Sequence, residues 1–189
     1  MPLSGVTRGG TSSVAASVRE LGYDGALSRE ELLMGRIHPI VIGGLAVGVL
    51  DILAAFAVRA AFTGTWRPML LLQGIASGLL GPSAFRGGVK TAALGLLLHF
   101  FIAFVAAGVY YVASRRLSLL VRRPIVSGLT YGVIVYVVMN QVVLPLSRVA
   151  PRTPRPSVAA TLILVHMLFV GLPIALAVWW AEPAERITA

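Results

Sequence analysis

The sequence predicts an all-α bundle of transmembrane helices, and three observations lead there. First, 57% of the 189 residues are apolar and only 12% are charged, whereas a soluble domain carries about 25% charged residues. Second, the charges are clumped into short connections. The stretches enclosed by Arg36 and Arg59, Arg67 and Arg86, Lys90 and Arg115, Arg123 and Arg148, and Arg155 and Glu182 contain one charge between them, Asp51. Third, these runs approach or exceed the ~20 apolar residues that span a bilayer core. A soluble enzyme is excluded on these grounds. A nucleic-acid reading of the net charge of +9 fails as well, because a basic face needs a soluble domain to carry it. The expected partner is the lipid bilayer, whose headgroups attract basic loop residues. With no cysteine in the chain, disulfides, thiolate metal sites and cysteine nucleophiles are ruled out.

Residues 1–36 read as a polar N-terminal tail, rich in Gly and Ser and without a signal-peptide apolar region. Its acid-poor start with Arg8 and Arg19 also suits a mitochondrial transit peptide, but a disordered bacterial tail is the reading preferred. Ser28 followed by Glu30 and Glu31 fits a capping box. A short interfacial helix is therefore expected from about Ser28 to Arg36, with its acids in the first turn, where the helix dipole favours them.

The transmembrane domain is expected over 37–181, with full spans at about 38–62, 88–114, 124–146 and 157–181. Pro39, Pro124 and Pro156 suit first helical turns, where a missing N–H costs nothing. The segment 68–81 differs. Met69–Leu80 is only 12 residues long before Gly81-Pro82, or ~18 Å of helix against a ~30 Å core. It is read as a re-entrant half-helix whose return loop, Gly81 to Gly88, must be sheltered by protein or water. A fifth full span is the alternative. Basic residues divide almost evenly between the two sides in either topology, so they do not fix orientation; the N-terminus is placed inside. Pro151, Pro154 and Pro156 predict an extended, semi-rigid spacer between the last two spans. Residues 182–189 form a C-terminal tail.

Two halves of the domain look alike. Gly44 and Gly48 in the first span correspond to Gly128 and Gly132 in the third. His99, in an apolar setting, corresponds to His166. Tyr110-Tyr111 and Trp179-Trp180 close the two spans that carry these histidines. A two-fold repeat of helix hairpins would relate them by an axis along the membrane normal; chance likeness between apolar helices is the competing explanation. The aromatic pairs are expected to anchor one interface. Gly44/Gly48, Gly74/Gly78 and Gly128/Gly132 are GxxxG spacings that let helices approach closely, within the chain or in a homo-oligomer.

The chemistry-bearing residues lie at depth. Asp51 falls near the middle of its span, where a carboxylate costs on the order of 3 kcal/mol or more unless partnered or protonated. His99 is eleven residues from the start of its span and Asp51 eleven from the end of its own, so in antiparallel helices they share a depth. His166 would lie about 3 Å shallower. Asn140 and Gln73 are candidates to join the same polar cluster, whereas His38 reads as an interface anchor. Three readings stand: a site that binds or passes a proton or small solute, a purely structural hydrogen-bonded lock, and a b-haem held by His99 and His166. One acid and two histidines make a thin metal shell, so neither metal nor another cofactor is expected. No GxSxG, HExxH or carboxylate pair is present. The only enzyme reading left open is an intramembrane hydrolase on Ser77 or Ser83 with a histidine.

The polar tail, the glycine-rich first span with Gly44, and the histidines His99 and His166 in apolar flanks carry a further likeness. Over roughly residues 40–181 the chain resembles the bacterial inner-membrane proteins grouped with YagU. The resemblance implies a multi-pass protein of the bacterial inner membrane, and no mechanism.

Overall fold

The computed structural model describes residues 29–150 and 155–183. Ser28 and the tail before it, the linker residues 151–154 and the end of the C-terminal tail lie outside the described residues. The chain divides into two units, Met1–Gly35 and Arg36–Ala189; the packing described below is that of the second, which takes the first helix from Arg36 onward.

All regular structure among the described residues is helical. The elements are α1 (Arg29–Thr63), α2 (Pro68–Leu80), a 3-10 turn (Gly81–Arg86), α3 (Gly88–Arg116), α4 (Leu119–Arg122) and α5 (Pro124–Val138). A π turn (Met139–Val143), α6 (Leu144–Leu146), α7 (Pro156–Val165), a second π turn (His166–Gly171) and α8 (Leu172–Trp180) follow. Five stretches are long and apolar enough to cross a membrane: His38–Thr63, Pro68–Arg86, Gly88–Arg116, Pro124–Leu146 and Pro156–Trp180. Pro68–Arg86, at 19 residues, is the shortest and least apolar.

Helix boundaries follow local chemistry. Pro68, Pro124 and Pro156 each open a helix, where the absent N–H would be unpaired in any case. Pro39 does not: it lies inside α1, so the expectation that it opens the first span is corrected. Gly64 follows α1 at φ +67°, and its N–H bonds to Ala60 O at 2.8 Å, a C-terminal closure that glycine adopts without Cβ strain. Gly81, at φ +65°, ends α2 as its position before Pro82 suggests. The chain then continues helically to Arg86 rather than leaving as an open loop.

The two π turns arise from prolines inside apolar runs. Leu144 N–H bonds to Met139 O and Leu172 N–H bonds to Met167 O, an i to i−5 pattern. Pro145 and Pro173 come next in sequence. A proline ring collides with the carbonyl four residues earlier and removes one hydrogen bond, and the backbone accommodates it by widening a turn.

α1 and α3 run antiparallel. Gly43 lies against Ala107, Gly44 against the Phe104 ring and Gly48 against the Phe100 ring. The Thr63 end of α1 and the Gly88 end of α3 therefore share one end of the bundle. α2 packs on α3 at that end, with backbone of Leu72 and Ala76 against Gly95. Arg148 N–H donates to Gly78 O at 2.9 Å, which ties the end of α2 to the chain just after α6. α5 runs antiparallel to α7 and α8: Gly128 and Gly132 meet the backbone from His166 to Leu172, and Gly171 meets the backbone of both. Here main chain touches main chain. The core between these pairs is built from small and β-branched residues, among them Val47, Ala103, Ala107, Val170, Ile174 and Val178, around the fully buried Tyr110. Outside it, large apolar side chains such as Leu53, Leu97, Phe101, Val112 and Leu164 are exposed. Apolar exposure on this scale is foreign to a surface facing water.

Candidate functional site

Asp51 of α1, His99 of α3 and His166, at the start of the second π turn, line a single cavity of about 280 Å³. Its other walls are apolar, from Val47 and Ile52 of α1, Leu71 and Ile75 of α2, Ile102 and Ala103 of α3, and Met139. Ala55, one turn beyond Asp51, keeps that wall low. Three of the five predicted site residues therefore meet in one place.

The histidines are held by backbone rather than by the acid. His99 Nε2 lies 3.0 Å from Gly48 O. A carbonyl only accepts, so Nε2 carries the proton and Nδ1 presents a lone pair. The contact needs Gly48, because a Cβ there would occupy the space of the Phe100 ring, which itself meets His99 edge-on at 5.8 Å. His166 Nδ1 donates to Leu162 O, one turn back in its own helix, at 2.8 Å, which leaves Nε2 with the lone pair. Its ring stands edge-on to Tyr136 at 5.5 Å. Asp51 makes no ion pair with either ring; the ion pair among the described residues is Arg115–Glu182 at 2.6 Å, far along the chain. The cavity is thus bordered by a carboxylate and two imidazoles, each imidazole with one nitrogen able to accept a proton or a donor group.

Gln73 and Asn140 do not join this group. Gln73 Nε2 donates to Gly88 O at 3.1 Å and lies 3.4 Å from Thr91 Oγ1, so it clamps the α2–α3 hairpin. Asn140 Nδ2 donates to Tyr136 O of its own helix at 2.8 Å, within the π turn, where local backbone carbonyls are offered to it. His38 stacks near Trp180, ring centroids 6.2 Å apart.

The aromatic pairs fall at the end of the bundle opposite Thr63 and Gly88. Trp180 is 70% exposed there, whereas Tyr110 is fully buried, with its hydroxyl donating to Leu120 O at 3.0 Å and its ring against Tyr131. Tyr110 is a core residue, not the interface anchor its position suggests. Tyr111 packs against the core under the Arg115 guanidinium, and Trp179 is half exposed.

No group of three His, Cys, Asp or Glu side chains among the described residues is arranged to hold a metal ion. An iron ligand at His99 Nε2 would have to displace the Gly48 bond. Sequence reasoning missed the apolar walls and the wide turn that carries His166; the signal for the latter was Pro173, seven residues on.

Scans against protein-family models, curated proteins and solved structures return no match. The site is therefore read from its own chemistry.

Proposed function

We propose that the chain is a multi-pass membrane protein that binds or passes a proton, or a small hydrogen-bond-donating solute, at Asp51, His99 and His166. The observation that carries this reading is the shared cavity, with two imidazole lone pairs and a carboxylate on its wall. Titratable groups inside a membrane are costly and mark ion and proton paths. The test is proton flux into liposomes holding the full chain. Wild-type protein should exceed empty liposomes, and His99→Ala and His166→Ala should each fall to near the empty level, with His38→Ala unchanged. Wild-type flux equal to empty liposomes would sink the proton-passage reading.

The topology proposed with it is four spans and a re-entrant α2, in a bacterial inner membrane. The antiparallel packing of α1 on α3 supports this, since a crossing α2 would make those helices parallel. Cysteines introduced at Trp66 and Gly87 should react with an impermeant reagent from the same side; opposite sides would mean a fifth span. The hairpin repeat is supported by the antiparallel pairing in both halves, and the YagU-like resemblance by Gly44, His99 and His166.

A second reading has its own observation. Each ring already spends one nitrogen on a backbone carbonyl, which suits an accessory or assembly protein whose polar residues lock the bundle, alone or as a homo-oligomer. A b-haem on His99 and His166 is the third, and a purified protein without a Soret band would dismiss it.

A further inference from the structure

A second cavity, of about 550 Å³, lies between α1, α2, α3 and the segment from the first π turn to Val149. It shares the walls Leu71, Ile75, Ile102 and Met139 with the Asp51 cavity, and its further walls include Arg59 and Phe85, toward the Thr63–Gly88 end of the bundle. Its size falls within the ~300–1,000 Å³ of ligand sites. Its lining is almost wholly apolar, with one cation, Arg59. Arg59 is half-buried, and its Nε is buried without a hydrogen-bond partner among the described residues, a costly condition for a polar donor.

Among the described residues no acidic side chain pairs with Arg59. Between Asp51 and Glu182 there is no acidic residue, while Arg86, Lys90 and Arg148 add positive charge toward the same end. Arg59 is four residues from the end of α1, or about 6 Å along the axis. That is the level at which a lipid headgroup would sit beside a helix end. Guanidinium and phosphate pair in a forked geometry. Gly74 leaves the deeper wall open, since a Cβ there would meet nothing within 4 Å.

We propose that this cavity is a binding site for an anionic phospholipid, with its phosphate on Arg59 and one acyl chain laid along α2 and α3. The second acyl chain stays in the bilayer. The site stands independently of the proton or solute reading of Asp51.

The experiment is native mass spectrometry of the full chain released from vesicles of phosphatidylglycerol and phosphatidylcholine in equal parts. Wild-type protein should retain one phosphatidylglycerol with a preference of about tenfold: both lipids carry the phosphate, but the choline cation of phosphatidylcholine is disfavoured beside the positive charge of Arg59, Arg86, Lys90 and Arg148. Arg59→Gln should lose that preference, and Arg122→Gln, at the other end of the bundle, should keep it. Gly74→Leu should reduce retention of either lipid by filling the cavity. Leucine is the better helix former, so this variant reads the site even if Arg59→Gln folds poorly. Three results would overturn the proposal: equal retention of the two lipids by wild type, unchanged preference in Arg59→Gln, or displacement of the bound lipid by an equal concentration of oleate, which would make the ligand a fatty-acid carboxylate.

Discussion

The same glycine spacing does different work in the two helix pairs. In α5, Gly128 and Gly132 press directly on the backbone of the α7–α8 strand of the bundle, and Gly171 presses back. In α1, Gly44 and Gly48 receive the rings of Phe104 and Phe100 instead. The first arrangement brings two backbones together and leaves no room between them. The second seats side-chain rings of α3 against the glycines of α1, and Gly48 O accepts from His99. The polar cavity sits beside the spaced pair, bounded across by the close-packed one. Close packing supplies rigidity, and spacing supplies the room a site requires.

This contrast can be broken by adding single methyl groups. The largest effect is expected at Gly171→Ala, where the new Cβ runs into Gly128 O and the Gly132 backbone. Neither main chain can rotate away, so a loss of about 3 kcal/mol is expected, at the upper end of overpacking costs. Reversible unfolding in mixed micelles would measure it; a loss below 1 kcal/mol would mean the pair is looser than described. Gly44→Ala meets first the Phe104 ring, which can swing, and should lose about 1 kcal/mol. A loss as large as that of Gly171→Ala would erase the distinction between the two pairs. The smallest effect belongs to the third glycine pair. Gly74→Ala faces open space and should be neutral or stabilising by up to about 1 kcal/mol through helix propensity. Clear destabilisation there would mean that a partner, such as a second copy of the chain, covers that face.

Much of this was legible in the sequence, and the reasons it stopped are physical. The charge-free runs located every long helix, because a bilayer tolerates few charges wherever the chain crosses it. Gly81-Pro82 marked the end of α2, since Gly81 takes a positive φ and Pro82 cannot donate. The meeting of Asp51, His99 and His166 followed from counting residues along antiparallel helices, which fixes depth. Counting does not fix rotation about the helix axis. Gln73 and Asn140 were placed at plausible depths, yet one turns toward Thr91 and the other bonds its own helix. Pro145 and Pro173 lay inside apolar runs, where they announce a disturbed turn. The sequence pattern was read there as unbroken helix, and the rotation that each π turn imposes was lost with it. Tyr110 looked like an anchor by position, but its hydroxyl finds Leu120 O and Ser127 inside the protein, which a hydropathy pattern does not reveal. Nothing in the sequence sets Arg59 apart, because an arginine near a span end ordinarily reaches the interface.

The reading proposed for the cavity gives the Asp51 carboxylate a working role there, beyond filling its place on the wall. Asp51→Asn tests this most directly, because it keeps shape and most polarity while removing the ionisable proton. The measurement is proton flux in liposomes beside thermal stability in detergent, on the same preparation. The account predicts a protein that stays folded, within about 1–2 kcal/mol of wild type as for other interhelical polar contacts, but whose flux drops to that of empty liposomes. Flux equal to wild type in a folded Asp51→Asn protein would contradict it.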